Sequence, residues 1–268
     1  MKKWLRVIFK IVPLLLWHWL PLRRYAKHPE RYTLEERLKR YQYLIDKIFK
    51  AFHIEVVYRY DKQAKELLYG KEKYLMVSNH LSDLDPLVLV GHNPQPLSVV
   101  AKKETEHYPL IGMVVKGLEG FFLDRENLRT SIKIIKDLSD KLEENYVSYL
   151  IFPEGTRNKN PDEPLLPFHP GSFKAAVKSG HPILPVAIYG TFRVFSKKHS
   201  YRHYLVQVDY LKPLTQEDFE DGNTPEVAKK VQKMIQDEIN KEREIDKKYF
   251  EDNLHMRKKN VLLPDYLN

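Results

Sequence analysis

The chain has 268 residues, with 45 Lys and Arg against 36 Asp and Glu, for a formal net charge of +9. That length suffices for one α/β domain with its own core plus an arm, and a basic surface favours phosphates, anionic lipid or an acidic protein without choosing among them. The absence of cysteine excludes disulfides, cysteine-ligated zinc and a thiol nucleophile, while the eleven histidines show no HExxH-like pairing and predict no metal site. No glycine-rich nucleotide loop and no internal repeat is present.

Residues 1–24 place Lys2, Lys3, Arg6 and Lys10 before an apolar core and Arg23 and Arg24 after it. The twelve residues between Lys10 and Arg23 are too few to cross a bilayer core of ~30 Å as a helix. Trp4, Trp17 and Trp19 suit a membrane interface, so an interfacial or half-inserted helix is expected. The alternative is a tilted span starting at Trp4, with Arg6 and Lys10 reaching back to the headgroups. A signal peptide fits less well, because no small-residue cleavage site follows. Residues 33–52 form a second helix, with Leu34, Leu38, Tyr41, Ile45, Ile48, Phe49 and Phe52 at helical spacing. The pair reads either as a hairpin docking on a membrane or, for the second helix, as an ordinary helix on a domain core.

From Ile54 onward, strands and helices alternate. Strands are expected at 54–58, 74–77, 97–101, 120–125, 149–152, 183–189 and 204–210. Helices are expected after Asp85, from 128 to 142, from 173 to 179 and from Pro225. Pro185 interrupts the 183–189 run and places that strand at an edge or a bulge. Residues 158–171, with four prolines, form a long loop of the kind that is often functional. The alternation predicts an α/β domain with a largely parallel sheet. The division is an arm over 1–54, the main domain over 55–242 and a charged tail over 243–268.

Polar clusters follow four of the strands, where α/β folds place their sites. His80 comes just after the apolar run Tyr74–Val77, and Asp85, before Pro86, stands where a helix N-cap belongs. A strand–turn–helix can fold the two together, so that the carboxylate fixes one imidazole nitrogen and leaves the other free to take a proton. A lone histidine at a strand end is usually structural, so the pair gains weight only from Lys102, Arg125 and Glu154-Gly155-Thr156-Arg157 at the other strand ends. A base, several cations and a glycine turn at one sheet edge suit a phosphate-bearing substrate with a reacting hydroxyl. Taken singly, each charge is a solvated surface group, and Glu154 and Arg157 have each other as an available partner.

These residues resemble the glycerolipid acyltransferase family. Asn79-His80-Leu81-Ser82-Asp83-Leu84-Asp85 matches its Asn-His-x4-Asp signature, and Gly120–Arg125 looks like its second motif. Phe152-Pro153-Glu154-Gly155-Thr156-Arg157 and Ile183-Leu184-Pro185-Val186-Ala187 look like the third and fourth, all in the family's order over roughly residues 55–215. The nearest resemblance is to its bacterial 1-acyl-sn-glycerol-3-phosphate acyltransferases, whose amphipathic two-helix membrane motif the arm resembles.

The resemblance implies that an acyl group passes from a thioester on coenzyme A or acyl carrier protein to the sn-2 hydroxyl of lysophosphatidate, with no cofactor and no metal. His80 is then the general base, Asp85 orients it, and Lys102, Arg125, Glu154, Gly155, Thr156 and Arg157 line the acceptor site. It also implies a peripheral or monotopic protein on the cytoplasmic face of the cell membrane. Another acceptor, such as glycerol 3-phosphate, is the alternative, followed by a non-catalytic membrane-binding protein. Nucleic-acid binding has only the net charge behind it, since no zinc finger, RNP-like sequence or basic zipper occurs.

Overall fold

The computed structural model describes residues 7–124, 127–196, 198, 199, 201–219, 222–257 and 264–267. A π-helical turn, Val7–Ile11, leads into helix α1, Val12–Lys27, and then into α2, Leu34–Phe52. Thr33 starts α2 with a reciprocal cap, accepting from the Glu36 amide at 3.2 Å while the Glu36 carboxylate accepts from the Thr33 amide at 2.9 Å. The main domain follows as β1 (Ile54–Tyr60), α3 (Lys62–Tyr69), β2 (Leu75–Ser78), α4 (Asp85–His92), β3 (Leu97–Lys102) and α5 (Pro109–Gly117). It continues with β4 (Phe121–Leu123), α6 (Leu128–Glu143), β5 (Ser148–Ile151), α7 (Lys174–Ser179), β6 (Ile183–Tyr189), β7 (Tyr204–Tyr210) and α8 (Thr224–Glu251).

The strands form one seven-stranded sheet among the described residues, in the order β1-β7-β6-β2-β5-β3-β4. From β6 to β4 all pairings are parallel, β6 and β7 are antiparallel, and β7 and β1 are parallel to each other. The sheet is therefore largely parallel, as the alternation predicts. β2, β5 and β6 are buried along their whole length, which explains why they read as continuous apolar runs. Successive side chains serve opposite cores. Met76, Leu150, Leu184, Val186 and Ile188 face one with the arm helices, whereas Leu75, Val77, Tyr149, Ile151 and Ala187 face the other with α6 and α8.

Four expectations change. The strand 183–189 is central, not at an edge. The Pro185 carbonyl accepts from the Leu211 amide at 3.0 Å, so its nitrogen also faces the β7 side, where regular pairing starts only at Val186 and Tyr210. The missing donor thus falls just past the end of a ladder. The boundary at 54 does not separate two cores, because Leu38, Tyr41, Leu44 and Phe52 of α2 belong to the sheet's own core. Arg37, 2% exposed, locks α2 down by donating to the Gly117 carbonyl at 2.7 Å and to Glu119 at 2.6 Å. The tail boundary at 243 falls inside α8, which runs on to Glu251 and still buries Asp246 and Tyr249. Asp246 holds the largely buried Arg193 there at 2.8 Å. Asp85 is the first helical residue of α4, with Leu84 as its cap.

Two helices have no counterpart among the expected elements. α3 is capped by the Asp61 carboxylate, which accepts from the Gln63 amide at 2.8 Å, and α5 opens on Pro109. No helix among the described residues is long and apolar enough to cross a membrane. The tilted-span alternative starts at Trp4, which lies outside the described residues together with Lys2, Lys3 and Arg6.

Candidate active site

β2, β5, β3 and β4 run parallel, so the segments after their C-terminal ends emerge at one edge of the sheet. His80 lies two residues past β2, and α4 begins at Asp85. The turn between them brings the two side chains together, with His80 Nδ1 2.8 Å from Asp85 Oδ2. The same oxygen accepts from the backbone amides of Leu81 at 2.6 Å and Ser82 at 2.8 Å. Three donors thus converge on one carboxylate oxygen, in a side chain with no exposed surface at a helix N-terminus, an arrangement suited to an acceptor-only group. A carboxylate oxygen that accepts makes Nδ1 the donor of this pair and leaves Nε2 as the ring nitrogen turned away from Asp85. The imidazole stacks on Phe152 at 4.2 Å between centroids and keeps 18% of its side-chain surface open. It is oriented on one side and accessible on the other.

The backbone of His80 is fixed as firmly as its ring. Its amide donates to Glu154 Oε1 at 2.7 Å, and its carbonyl accepts from the Asn158 amide at 2.7 Å. The Asn79 carboxamide donates to the Ile188 carbonyl and accepts from the Ile188 amide, both at 2.9 Å, clamping the residue before His80 to β6. Sequence reasoning assigns no role to Asn79, Phe152 or Asn158. The signal available for Asn79 is a polar side chain directly after a buried apolar strand, with nowhere to go but the backbone of its neighbours.

The structure corrects Glu154. It is 3% exposed, and its second oxygen accepts from the Leu166 amide at 3.0 Å. Each oxygen thus takes a backbone donor, so from its buried position Glu154 holds the His80 turn and the 158–171 loop together. It does not pair with Arg157. Burial pushes its carboxyl up to about 7, against the opposing pull of the His80 and Leu166 amides. Through Leu166 it also ties down the 158–171 loop, which α8 holds from outside by Gln236 Oε1 on the Leu165 amide at 2.7 Å.

Gly155 adopts φ 72°, the left-handed conformation that favours glycine, but its amide donates to the Phe152 carbonyl at 3.1 Å. That amide is used within the turn and does not face an anion. Thr156 is exposed, with no hydrogen bond among the described residues. Arg157 is 46% exposed and pairs with Asp83, which lies within the turn between His80 and Asp85. Lys102 ends β3 at the same edge and meets Glu104 at 3.0 Å. Arg125 lies outside the described residues. No group of side chains fit to hold a metal ion occurs among the described residues.

With an oriented histidine at the edge of a parallel sheet, the chain also matches the acyltransferase family profile over residues 52–189, just over half of its length. The chain belongs to the acyltransferase family. It is similar to the 1-acyl-sn-glycerol-3-phosphate acyltransferase of Saccharomyces cerevisiae, with 30% identity over 63% of this chain and 56% of that protein. It is 32% identical to the Haemophilus influenzae protein of the same name over 54% of this chain and 58% of that one. It thus spans little more than half the length of those two relatives. A probable 1-acyl-sn-glycerol-3-phosphate acyltransferase of Mycoplasma genitalium is 29% identical over 82% of this chain and 84% of its own. The fold matches the crystal structure of the 1-acyl-sn-glycerophosphate (LPA) acyltransferase of Thermotoga maritima, with TM-score 0.62 and 23% identity over 89% of this chain and 98% of that one.

Proposed function

We propose that this chain transfers a fatty acyl group from a thioester to the sn-2 hydroxyl of lysophosphatidate. The observation that carries the reading is Asp85 Oδ2 at 2.8 Å from His80 Nδ1, which leaves Nε2 as a base on the open side of the ring. In this scheme Nε2 takes the hydroxyl proton as the oxygen attacks the thioester carbonyl. The tetrahedral adduct then expels the thiolate, and the imidazolium returns its proton to sulfur. Asp85 stabilises the imidazolium between the two steps. General-base help of this kind is worth ~10²–10⁴ in rate, and positioning of the acceptor supplies much of the remainder. No acyl-enzyme is required, and Ser82 needs no role as nucleophile.

Arg157 is the phosphate ligand with most support, since it pairs with Asp83 in the turn after His80 and is half open to solvent. Lys102, the last residue of β3, joins it, and Arg125 is assigned to the phosphate from its place in the sequence. Thr156 adds a free hydroxyl. The acyl carrier is coenzyme A or acyl carrier protein, and a basic surface suits the phosphates of one and the acidic surface of the other.

The arm supports work at a lipid surface. Phe9, Leu16, Trp17 and Leu20 are 62–83% exposed at helical spacing along α1 and the turn before it, and the exposed cations Arg23, Arg24 and Lys27 close the helix. Burying each large apolar side chain in lipid is worth about 1.5–3 kcal/mol, and each basic residue near an anionic surface about 1 kcal/mol. Docked this way, peripherally on the cytoplasmic face, the protein takes the headgroup while the chain of the acceptor stays in lipid.

Purified protein incubated with lysophosphatidate and an acyl-CoA should release thiol, read against a background with no protein cysteine. The same assay with an acyl carrier protein thioester ranks the donors, and glycerol 3-phosphate in place of lysophosphatidate tests the alternative acceptor. His80→Ala should abolish release while leaving vesicle binding intact. Equal turnover in wild type and variant would discard the proposal.

A further inference from the structure

The two N-terminal helices enclose a groove of about 800 Å³ that the chemistry at His80 does not use. Its walls include Leu14, Trp17 and His18 from α1 and Lys39, Arg40 and Tyr43 from α2. One half is aromatic and apolar, with Trp17 83% exposed and continuous with the outward face formed by Leu16 and Leu20. The other half is cationic. Lys39 is exposed and has no ion pair or hydrogen bond among the described residues. Arg40 is half-buried, and its Nη1 lies 3.2 Å from His18 Nδ1. Burial and the Arg40 charge lower the pKa of His18, so near neutrality it is an acceptor that steadies the guanidinium and not a third cation. Glu36 also borders the groove, but its Oε2 is turned back onto Thr33 in the helix cap.

We propose that this groove holds one anionic phospholipid, its phosphate on Lys39 and Arg40 and its glycerol and upper acyl segment along Trp17 and Leu14. Charge complementarity selects the phosphate, through a guanidinium fork beside a free ammonium. Continuity with the apolar face of α1 selects a lipid over a free anion, because inorganic phosphate would use only half of the groove. The inference rests on the reading of the arm as the lipid-facing surface and is independent of catalysis at His80.

Native mass spectrometry of the full chain released from detergent micelles tests it, with phosphatidylglycerol or phosphatidylcholine supplied in turn. Wild type should retain a single phosphatidylglycerol and little phosphatidylcholine. Lys39→Gln, at an exposed and unpaired position, should fold normally and retain about fivefold less, with a further drop in Lys39→Gln/Arg40→Gln. Arg23→Gln/Arg24→Gln, at the end of α1, should retain the lipid, as should Arg157→Gln in the active site. Equal retention of phosphatidylcholine, or an equal loss in Arg23→Gln/Arg24→Gln, would overturn the proposal in favour of unspecific adhesion. Loss in Arg157→Gln would place the lipid at the catalytic edge, and displacement by millimolar inorganic phosphate would assign the groove to a free anion; either result overturns it. Because retention is read without turnover, an inactive protein that still keeps the lipid separates this idea from the enzymatic one.

Discussion

Asn79 and Ile188 exchange two hydrogen bonds of 2.9 Å, side chain to backbone, across the gap between the end of β2 and β6. The carboxamide thereby replaces one rung of the sheet ladder and fixes the chain one residue before His80. Asn79→Ala would leave a buried amide and carbonyl of Ile188 unpaired. The expected cost is about 2–3 kcal/mol of stability, read in urea titrations. It should also lower kcat with little change in KM, since the clamp aims His80 and does not touch the acceptor. An unchanged kcat in the folded variant would show that the clamp is only structural.

Asp85→Asn tests the charge separately from the geometry. All three donors meet Oδ2, whereas Oδ1 is buried without a partner. An asparagine oxygen can take the Oδ2 position and keep Nδ1 protonated, but it brings no negative charge to stabilise the imidazolium. The expected fall in kcat is ~10²-fold or more, with the acceptor KM nearly constant. Combined with His80→Ala, it should cost almost nothing further, because the two side chains act as one unit.

Arg157 is held by Asp83, an exposed pair that contributes little to stability. Under the proposed function, a substrate phosphate takes the place of the Asp83 carboxylate. Asp83→Asn should therefore lower the KM for lysophosphatidate and leave the melting temperature unchanged. Arg157→Gln should raise that KM by roughly tenfold or more. A rise in KM with Asp83→Asn would mean that the pair positions the guanidinium instead of competing for it.

Glu154 makes stability depend on pH. Its folded-state pKa of about 7 lies above the ordinary value of 4.5. Between those values the folded protein binds more protons than the unfolded chain, so this group's contribution to stability falls as pH rises from 4.5 to 7 and is level above. The full difference is on the order of 3 kcal/mol. Glu154→Gln removes the titration. The stability of the variant relative to wild type should thus improve from about pH 5 to about pH 8, even though the amide cannot accept from both His80 and Leu166 as the carboxylate does. Parallel urea titrations at the two pH values check the slope, and a constant difference would mean that Glu154 does not titrate in this window.

The sequence by itself determined the parallel core, because strands buried on both faces read as apolar runs, and β2, β5 and β6 do, with Ser78 and Ser148 as the polar residues at strand ends. It also offered the His80–Asp85 pairing, since a strand, a four-residue turn and a helix start can bring those side chains together, as they do at 2.8 Å. The roles of Glu154 and Gly155 were decided only by tertiary structure. Nothing local tells a carboxylate whether its donors will be a substrate or the amides of His80 and Leu166, which come within reach only once β2 and β5 pair and the 158–171 loop folds back. The same holds for Pro185, tolerated in a central strand because regular β6–β7 pairing begins one residue later. It holds too for α2, whose amphipathic pattern is identical whether it meets a bilayer or, as here, a sheet domain that supplies a carbonyl and a carboxylate to Arg37. Periodicity reports that a face will be buried; the partner that buries it is set by long-range packing.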